Sequence, residues 1–317
     1  MKKLLALLVS IVLVLSACSF ALAEDKTYHV GICQLVQHPA LDAATRGFRD
    51  ALTELLGDRV KFDEQNASGD SATCVTIVNG FVSANVDLIM ANATPALQAA
   101  VAATGDIPIL GTSVTDYGSA LDISDWTGTT GFNVSGTSDL APLDGQAAMV
   151  RDLFPDAKEI GLLYCSAEAN SLYQIRVIAE NLKALGYNTT EYAFTDSNDV
   201  SSVTTNACAS SDVLYIPTDN TAASCTEAIR NVVETEKTPV VAGEEGLCAG
   251  CGVATLSISY YDLGVATGKM AYEILVNGAD VSTMPVEFAP QFTKKYNPEM
   301  AELFGLTLPE DYVAIEG

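Results

Sequence analysis

A chain of 317 residues, 49% hydrophobic and 18% charged, carries enough apolar side chain for sizeable cores and is too hydrophobic for a disordered protein. Its 40 acidic residues against 16 basic ones give a formal charge of −24, which repels phosphate backbones and anionic headgroups and argues against nucleic acid as a partner. The length exceeds that of one usual domain, so two are expected.

The chain starts with Lys2 and Lys3, an apolar run from Leu4 to Leu15, and then small residues, the layout of a secretory signal. That run is 12 residues long, short of the ~20 a membrane-spanning helix needs, so the segment directs export. Two cleavage points compete: Leu15-Ser16-Ala17-Cys18 as a lipoprotein box with Cys18 as lipid-bearing first residue, and Ala21-Leu22-Ala23 as an ordinary signal-peptidase site. Cys18 follows the apolar run directly, whereas Ala23 lies eight residues past its end. Residues 1–17 are therefore expected to be a lipoprotein signal peptide and 18–27 a tether. The protein is then extracytoplasmic and lipid-anchored, with a soluble periplasmic form as the alternative.

Beyond the leader, strand and helix alternate. HVGICQLV (29–36) is a short apolar, β-rich run, and LDAATRGFRDALTELLG (41–57) is an amphipathic helix closed by Gly57. VKFDEQNAS, a helix near 71–84, VDLIMANAT, a helix from Pro95 and IPILGTSV continue the pattern, which implies parallel strands joined by crossover helices. The second half repeats these features in order: HVGICQ is echoed by EIGLLYCS (159–166), VDLIMANATPALQAAV by SDVLYIPTDNTAASCTEAI (211–229), and DIPILGTSVTD by KTPVVAGEEG (237–246). Three markers keep nearly one spacing: 130 from Gly31 to Gly161, 125 from Asp87 to Asp212 and 131 from Pro108 to Pro239. The fold class is thus α/β, with two similar doubly wound parallel-sheet lobes. After VATLSISYY (253–261), the helix DLGVATGKMAYEILVNG breaks the symmetry and is expected to cross back to the first lobe, followed by the strand-like MPVEFAPQF. The expected lobes are 28–140 plus 261–282 and 141–260 plus 283–317, joined by several connections that make a hinge.

Eight cysteines are present, and lipidation of Cys18 leaves seven, so at least one stays unpaired within the chain. Cys33 and Cys165 sit in apolar runs and are expected in the core. The CAGC at 248–251 falls between glycines, in an expected loop before a strand. A local surface disulfide between Cys248 and Cys251 is preferred there over a redox pair, which belongs at a helix N-terminus, or a zinc half-site, which lacks two further ligands. Cys208 and Cys225 flank a strand as another possible pair.

Ligands of open α/β sheets bind beyond the carboxyl ends of the strands, near helix N-termini. The loops there hold Gln34 and His38; Thr94; Thr112, Ser113 and Asp116; Ser138 and Asp139; Asn170 and Ser171; Asp219 and Asn220; Glu244; and Tyr260. Any one of these is commonly a helix cap, but eight such loops facing one cleft favour a binding site. None of the 14 basic residues that remain once Lys2 and Lys3 are removed from the 16 lies in these loops, whereas a phosphate or dicarboxylate site usually recruits Arg or Lys. A neutral or zwitterionic small molecule fits best: helix N-termini and hydroxyls for a carboxylate, spare acids for an ammonium. The two histidines, His29 and His38, have no motif-level partner. Nucleophile elbow, Gly-x-Gly-x-x-Gly and Walker lysine loop are all missing from the sequence, so no enzyme, cofactor or metal is expected. A sugar or nucleoside is the second choice of ligand, disfavoured because the single Trp126 lacks an evident stacking partner. A secreted CxxC oxidoreductase and a ligand-presenting receptor domain are the other readings.

The stretches QLVQHPALDAATRGF, NASGD, VDLIMANATPALQAA, IPILGTSVTD, NVSGTSDL, IGLLYCSAEANS, VLYIPTDNTAAS, PVVAGEEG and SISYYDLGVATGKMA resemble the ABC-transporter substrate-binding proteins of the tryptophan/tyrosine-permease type, over nearly the whole mature chain. The resemblance implies a bilobal fold of the ribose-binding-protein type (type I periplasmic-binding-protein-like), which captures a small ligand between its lobes and delivers it to a permease and its ATPase. The membrane is then met through the N-terminal lipid only, and the ligand is an amino acid with an aromatic or branched apolar side chain. Carried over by position, Thr94, Ser138 and Ser171 would hold a carboxylate, Asp219 with Asn170 would meet an ammonium, and Gln34, His38, Asp139, Glu244 and Tyr260 would line the pocket. The extra cysteines, CAGC included, depart from the pattern of that family.

Overall fold

The computed structural model describes residues 26–316; the leader, Cys18 and the start of the tether lie outside them. The first run comprises β1 (Tyr28–Gln34), α1 (Pro39–Leu56), β2 (Val60–Asn66), α2 (Ser71–Ser83), β3 (Leu88–Asn92), α3 (Thr94–Ala103), β4 (Ile109–Val114), a one-turn α4 (Tyr117–Ala120) and β5 (Val134–Ser138). The second comprises α5 (Leu143–Leu153), β6 (Glu159–Cys165), α6 (Ala169–Ala184), β7 (Asn188–Phe194), α7 (Val200–Cys208), β8 (Val213–Ile216), α8 (Asn220–Ser224), α9 (Thr226–Glu236), β9 (Val240–Ala242), α10 (Glu245–Cys251) and β10 (Ala254–Ser257). The chain ends with α11 (Tyr260–Leu275), β11 (Glu287–Phe288), β12 (Thr293–Tyr296), α12 (Pro298–Leu303) and β13 (Val313–Ala314).

The two sheets have the orders β11-β5-β4-β3-β1-β2 and β13-β12-β10-β9-β8-β6-β7. Stripped of the late strands, β5-β4-β3-β1-β2 and β10-β9-β8-β6-β7 are the same topology, with every pairing in both parallel. The sequence repeat therefore has a structural cause. Asp87 Oδ2 accepts the backbone N–H of His29, and Asp212 Oδ2 accepts those of Lys158 and Glu159, so each acid ties the start of the third strand of its lobe to the first. The carbonyls of Pro108 and Pro239 likewise receive the N–H of Ile89 and Leu214. A parallel sheet is covered by helices on both faces, which is why central strands such as Leu88–Asn92 are buried along their whole length.

As expected, α11 returns to the first lobe, where it lies along α1. Gly264 and Gly268 stand against the backbones of Ala44 and Phe48, and Gly47 against that of Tyr261, so glycine at these three points lets the two helices approach. The sheet partners move the expected lobe boundary. Residues 287–288 pair with Thr137 and Ser138 of the first sheet, and Val286 is buried in that lobe, so the chain returns at 289–292 and not at 283. It then joins the second sheet through Thr293–Tyr296, antiparallel to β10. Three crossings result, at 139–142, 258–259 and 289–292.

The CAGC expectation is corrected. Glu244 caps a helix rather than a loop, and Cys248 and Cys251 sit one turn apart on its inner side, fully buried in the second core as free thiols. Cys208 and Cys225 are free as well, so neither expected pair is formed.

Candidate ligand-binding site

The strand ends of the two lobes face each other and the lobes are in contact. His38 Nε2 lies 3.3 Å from Asn220 Oδ1 across the cleft, Pro39 packs against Gly246, and α3 and α4 both touch α6. Most of the loops singled out from the sequence meet here, but their side chains divide into two kinds.

One kind is occupied in building the loops. Asp219 accepts from the Cys165 N–H at 2.6 Å, the Ser171 hydroxyl at 2.7 Å and the Ala222 N–H at 2.8 Å, so both its oxygens and the Ser171 hydroxyl are engaged. Burial, reinforced by the nearby Glu168, pushes its carboxyl up to about 7. Glu244 accepts from the N–H groups of Gly246 and Leu247 as the cap of α10, and burial raises it to about 7. Ser138 donates to the Thr115 carbonyl and accepts from the Leu140 N–H, pinning the first crossing. Asp116 caps α4 through the Ser119 N–H. Thr112 contacts the hydroxyl of Thr137, which in turn meets Thr267 of α11, so it serves packing behind the sheet. Gln34 folds onto α1, accepting from Thr45 and donating to Asp42, beside an open polar groove outside the cleft. At these positions the side chains serve a helix cap or a local bridge.

The other kind is left with unused hydrogen-bonding capacity. Seven buried side-chain atoms among the described residues have no partner; His38 Nδ1, Asn92 Oδ1, Ser113 Oγ, Asp139 Oδ1 and Asn170 Oδ1 belong to strand-end segments of the cleft, and Ser211 Oγ and Thr255 Oγ1 lie elsewhere in the second lobe. Buried polar atoms are normally paired, so a set of orphans in one place calls for a ligand. Two backbone positions beside them are strained: Ala93, entering α3, has φ 91°, and Ser113 has φ 53°. Thr94, the first residue of α3, is buried with them. Asp139 is the one acid of the group with an oxygen to spare. Its Oδ2 takes the Tyr260 hydroxyl at 2.9 Å, and burial, opposed by that bond and by the nearby Thr115 side chain, raises its carboxyl to about 6. No Lys or Arg is among these residues, as expected from the sequence. Trp126 has a stacking partner after all, Tyr117 at 6.2 Å within the first lobe, and lines with Tyr173 and Arg176 of the second lobe a groove of about 520 Å³.

Sequence reasoning passed over Glu168. It is 4% exposed, and its two oxygens accept from the N–H groups of Asn220 and Thr221 and from the side chains of Asn170, Asn220 and Thr221. The signal was an acid immediately before a helix start, inside a loop already marked as a site. Gln174, which grips both the N–H and the C=O of Thr218, was hidden inside a helix. A cavity of about 160 Å³ opens between Leu35, Val36 and Pro95 on one side and Cys165, Glu168 and Asn220 on the other. Larger grooves of about 560 and 630 Å³ lie beside α1 and at the hinge, so the orphaned atoms, not volume, mark the site.

Comparison with known proteins agrees with this geometry. A family model described as ABC transporter substrate binding protein matches residues 29–315. A tyrosine-binding protein of Clostridioides difficile (strain R20291) is 39% identical over 266 residues, 83% of this chain and 76% of the relative. An ABC domain from Streptococcus pneumonia, solved in complex with L-Trp, superposes with a TM-score of 0.86 at 32% identity, covering 90% of this chain and 97% of that one. The ligand-free, open structure of a substrate-binding protein with adhesive properties from Clostridium difficile is more similar in sequence, at 37% over 92% of this chain and 99% of that one, yet superposes less well, at 0.70. A better match to the liganded structure than to the open one fits the interlobe contacts seen here.

Proposed function

The chain belongs to the ABC transporter substrate-binding proteins, and on that premise we propose that it captures a zwitterionic aromatic amino acid between its lobes and presents it to a membrane permease with its ATPase. The observation that carries this reading is the set of orphaned, buried polar atoms between the contacting lobes, none of them on a Lys or Arg side chain. An ammonium placed at Asp139 Oδ1 gives that carboxylate its missing partner, in a site dry enough to make the pair strong. The ligand carboxylate falls to the hydroxyls of Ser113 and Thr94 and the N-terminal N–H groups of α3. This moves the ammonium from Asp219, which already accepts from three protein donors, to Asp139, and relieves Ser138 and Ser171 of ligand contact. The names of the tyrosine-binding relative and the L-Trp complex support an aromatic side chain.

Extracytoplasmic placement follows from such a role, and Cys18 is the proposed diacylglycerol-bearing residue of a membrane tether; no helix among the described residues is long and apolar enough to cross a membrane. Isothermal titration with a panel of amino acids and sugars tests the ligand class. Micromolar or tighter binding of an aromatic amino acid is expected, and binding of sugars alone overturns the reading. Mass spectrometry of the mature N-terminus tests the tether: an unlipidated start at Glu24 rules it out.

A further inference from the structure

The second lobe holds His38 in one tautomer. Asn220 Nδ2 donates to Glu168 Oε2 at 2.6 Å, which turns Asn220 Oδ1 toward His38. That oxygen can only accept, so His38 Nε2, 3.3 Å away, carries the hydrogen and donates it. In a neutral imidazole the lone pair then lies on Nδ1. Nδ1 is among the orphaned atoms, and His38 as a whole is 6% exposed. Burial lowers the pKa of the ring; the Asn220 bond and the carboxylates of Glu168 and Asp42, which face it, pull the other way without overcoming it. The ring therefore offers one acceptor, fixed in direction, whose desolvation goes uncompensated until a donor arrives.

Its position in the fold says which end of a ligand meets it. Asp139 follows β5 and His38 follows β1, three steps apart in the order β5-β4-β3-β1, or about 14 Å at the usual strand spacing. One ammonium cannot serve both. With the ammonium at Asp139, an extended amino acid lying along the cleft brings its side-chain tip toward His38, whose partner Asn220 lines the 160 Å³ cavity with Leu35, Val36 and Pro95.

We propose that His38 Nδ1 accepts a hydrogen bond from the aromatic side chain of the ligand, a phenol O–H or an indole N–H, and so selects donor-bearing aromatic amino acids over phenylalanine. Asn220 and Glu168 act as positioning residues that set the tautomer. This inference rests on the amino-acid reading given above. A site built around a substrate donor discriminates steeply against an analogue lacking it, because the acceptor is then buried unpaired.

The test is isothermal titration of the mature protein with tyrosine, tryptophan, phenylalanine and O-methyltyrosine. Tyrosine or tryptophan is expected to bind at least ~100-fold more tightly than phenylalanine, with O-methyltyrosine on the weak side. His38→Phe keeps an aromatic ring of similar size without the acceptor and is expected to collapse that ratio to below about tenfold. Should this variant fail to fold, Asn220→Ala, which frees the tautomer, is expected to shrink the ratio several-fold. Equal binding of phenylalanine by the wild type, or a ratio unchanged in the variants, overturns the inference while leaving the amino-acid reading intact. Failure of every aromatic amino acid to bind overturns both.

Discussion

Tyr260 donates its hydroxyl to Asp139 Oδ2 at 2.9 Å, and these two residues stand at two of the three places where the chain passes between the lobes. The bond fixes the acid at the hinge side of the cleft, with the Thr115 side chain also beside the carboxylate, and leaves Oδ1 without a hydrogen-bond partner. The carboxylate proposed to bind the ligand thus also ties two of the chain crossings together.

Asp139→Asn tests the ammonium assignment. The amide keeps the shape and can still accept from Tyr260, but it removes the charge, so ligand affinity is expected to fall by about 2–4 kcal/mol, roughly 30- to 1,000-fold. Asp219→Asn has a different signature. It puts a donor where the Cys165 and Ala222 N–H groups and the Ser171 hydroxyl need an acceptor, and is expected to lower Tm in the absence of ligand. Titration calorimetry paired with thermal scans separates the two; a greater affinity loss in Asp219→Asn than in Asp139→Asn returns the ammonium to Asp219.

Acidity sets a second expectation. Asp139 at about 6 and Asp219 and Glu244 at about 7 are raised chiefly by burial, against unfolded values of about 4. Between those limits the folded state holds more protons than the unfolded one, so these groups contribute stability below pH 4 that is lost as pH rises through 6 to 7. His38 works oppositely, its lowered pKa removing stability on acidification, but it is one group against three. Ligand-free protein is therefore expected to melt higher at pH 5.5 than at pH 8. An ammonium beside Asp139 favours its ionised form, so affinity is expected to rise over the same interval and binding to release protons. Calorimetry in buffers of different ionisation enthalpy measures that release, and Asp139→Asn is expected to diminish it. Proton uptake on binding contradicts the assignment.

How legible the molecule was depends on the kind of signal. The two lobes could be seen because Asp87 and Asp212, and Pro108 and Pro239, do the same backbone job twice, and a parallel sheet must be apolar where its strands are central. The site loops could be located for the same topological reason. What the sequence did not tell is which polar residue is spent on its own loop. Asp219 and Asp139 look alike as letters, and the convergence of Cys165, Ser171 and Ala222 on the former is visible only in the fold. Cys248 and Cys251 failed for a different reason. Glycines on both sides suggested a loop, whereas the Glu244 cap starts a helix that the second core completes.

Packing of α11 on α1 supplies a stability test. A Cβ at Gly264 would overlap the Ala44 carbonyl, and one at Gly47 the Tyr261 carbonyl, both rigid backbone. Gly264→Val is expected to destabilise by about 3 kcal/mol, lowering Tm by roughly 10 °C. Gly80, in the interior of α2, has open space around its Cβ position, so Gly80→Ala is expected to stabilise by about 0.5–1 kcal/mol through helix propensity. Thermal unfolding by circular dichroism checks both. A tolerated valine at 264 would mean that the two helices do not pack as described.

The CAGC pair yields the last expectation. Cys251 is raised to about 12 and Cys248 well above the ordinary thiol range, both mainly by burial, with the Glu244 carboxylate adding to it. The reactive species is the thiolate, so both residues are protonated, inaccessible and inert, the reverse of a redox CxxC. Among the seven described cysteines Cys225 is the most exposed, half-buried where the other six are buried. Iodoacetamide at pH 8 is expected to label Cys225 in the native protein, with Cys248 and Cys251 labelled only on unfolding, and insulin-reductase activity is expected to be absent. Cys251→Ser is tolerated in this picture, since a hydroxyl can still donate to the Leu247 carbonyl that the thiol now contacts at 3.4 Å. Peptide mapping by mass spectrometry reads the outcome. Labelling of Cys248 as fast as Cys225 would show that α10 opens readily, and would return the motif to the surface role that its flanking glycines suggest.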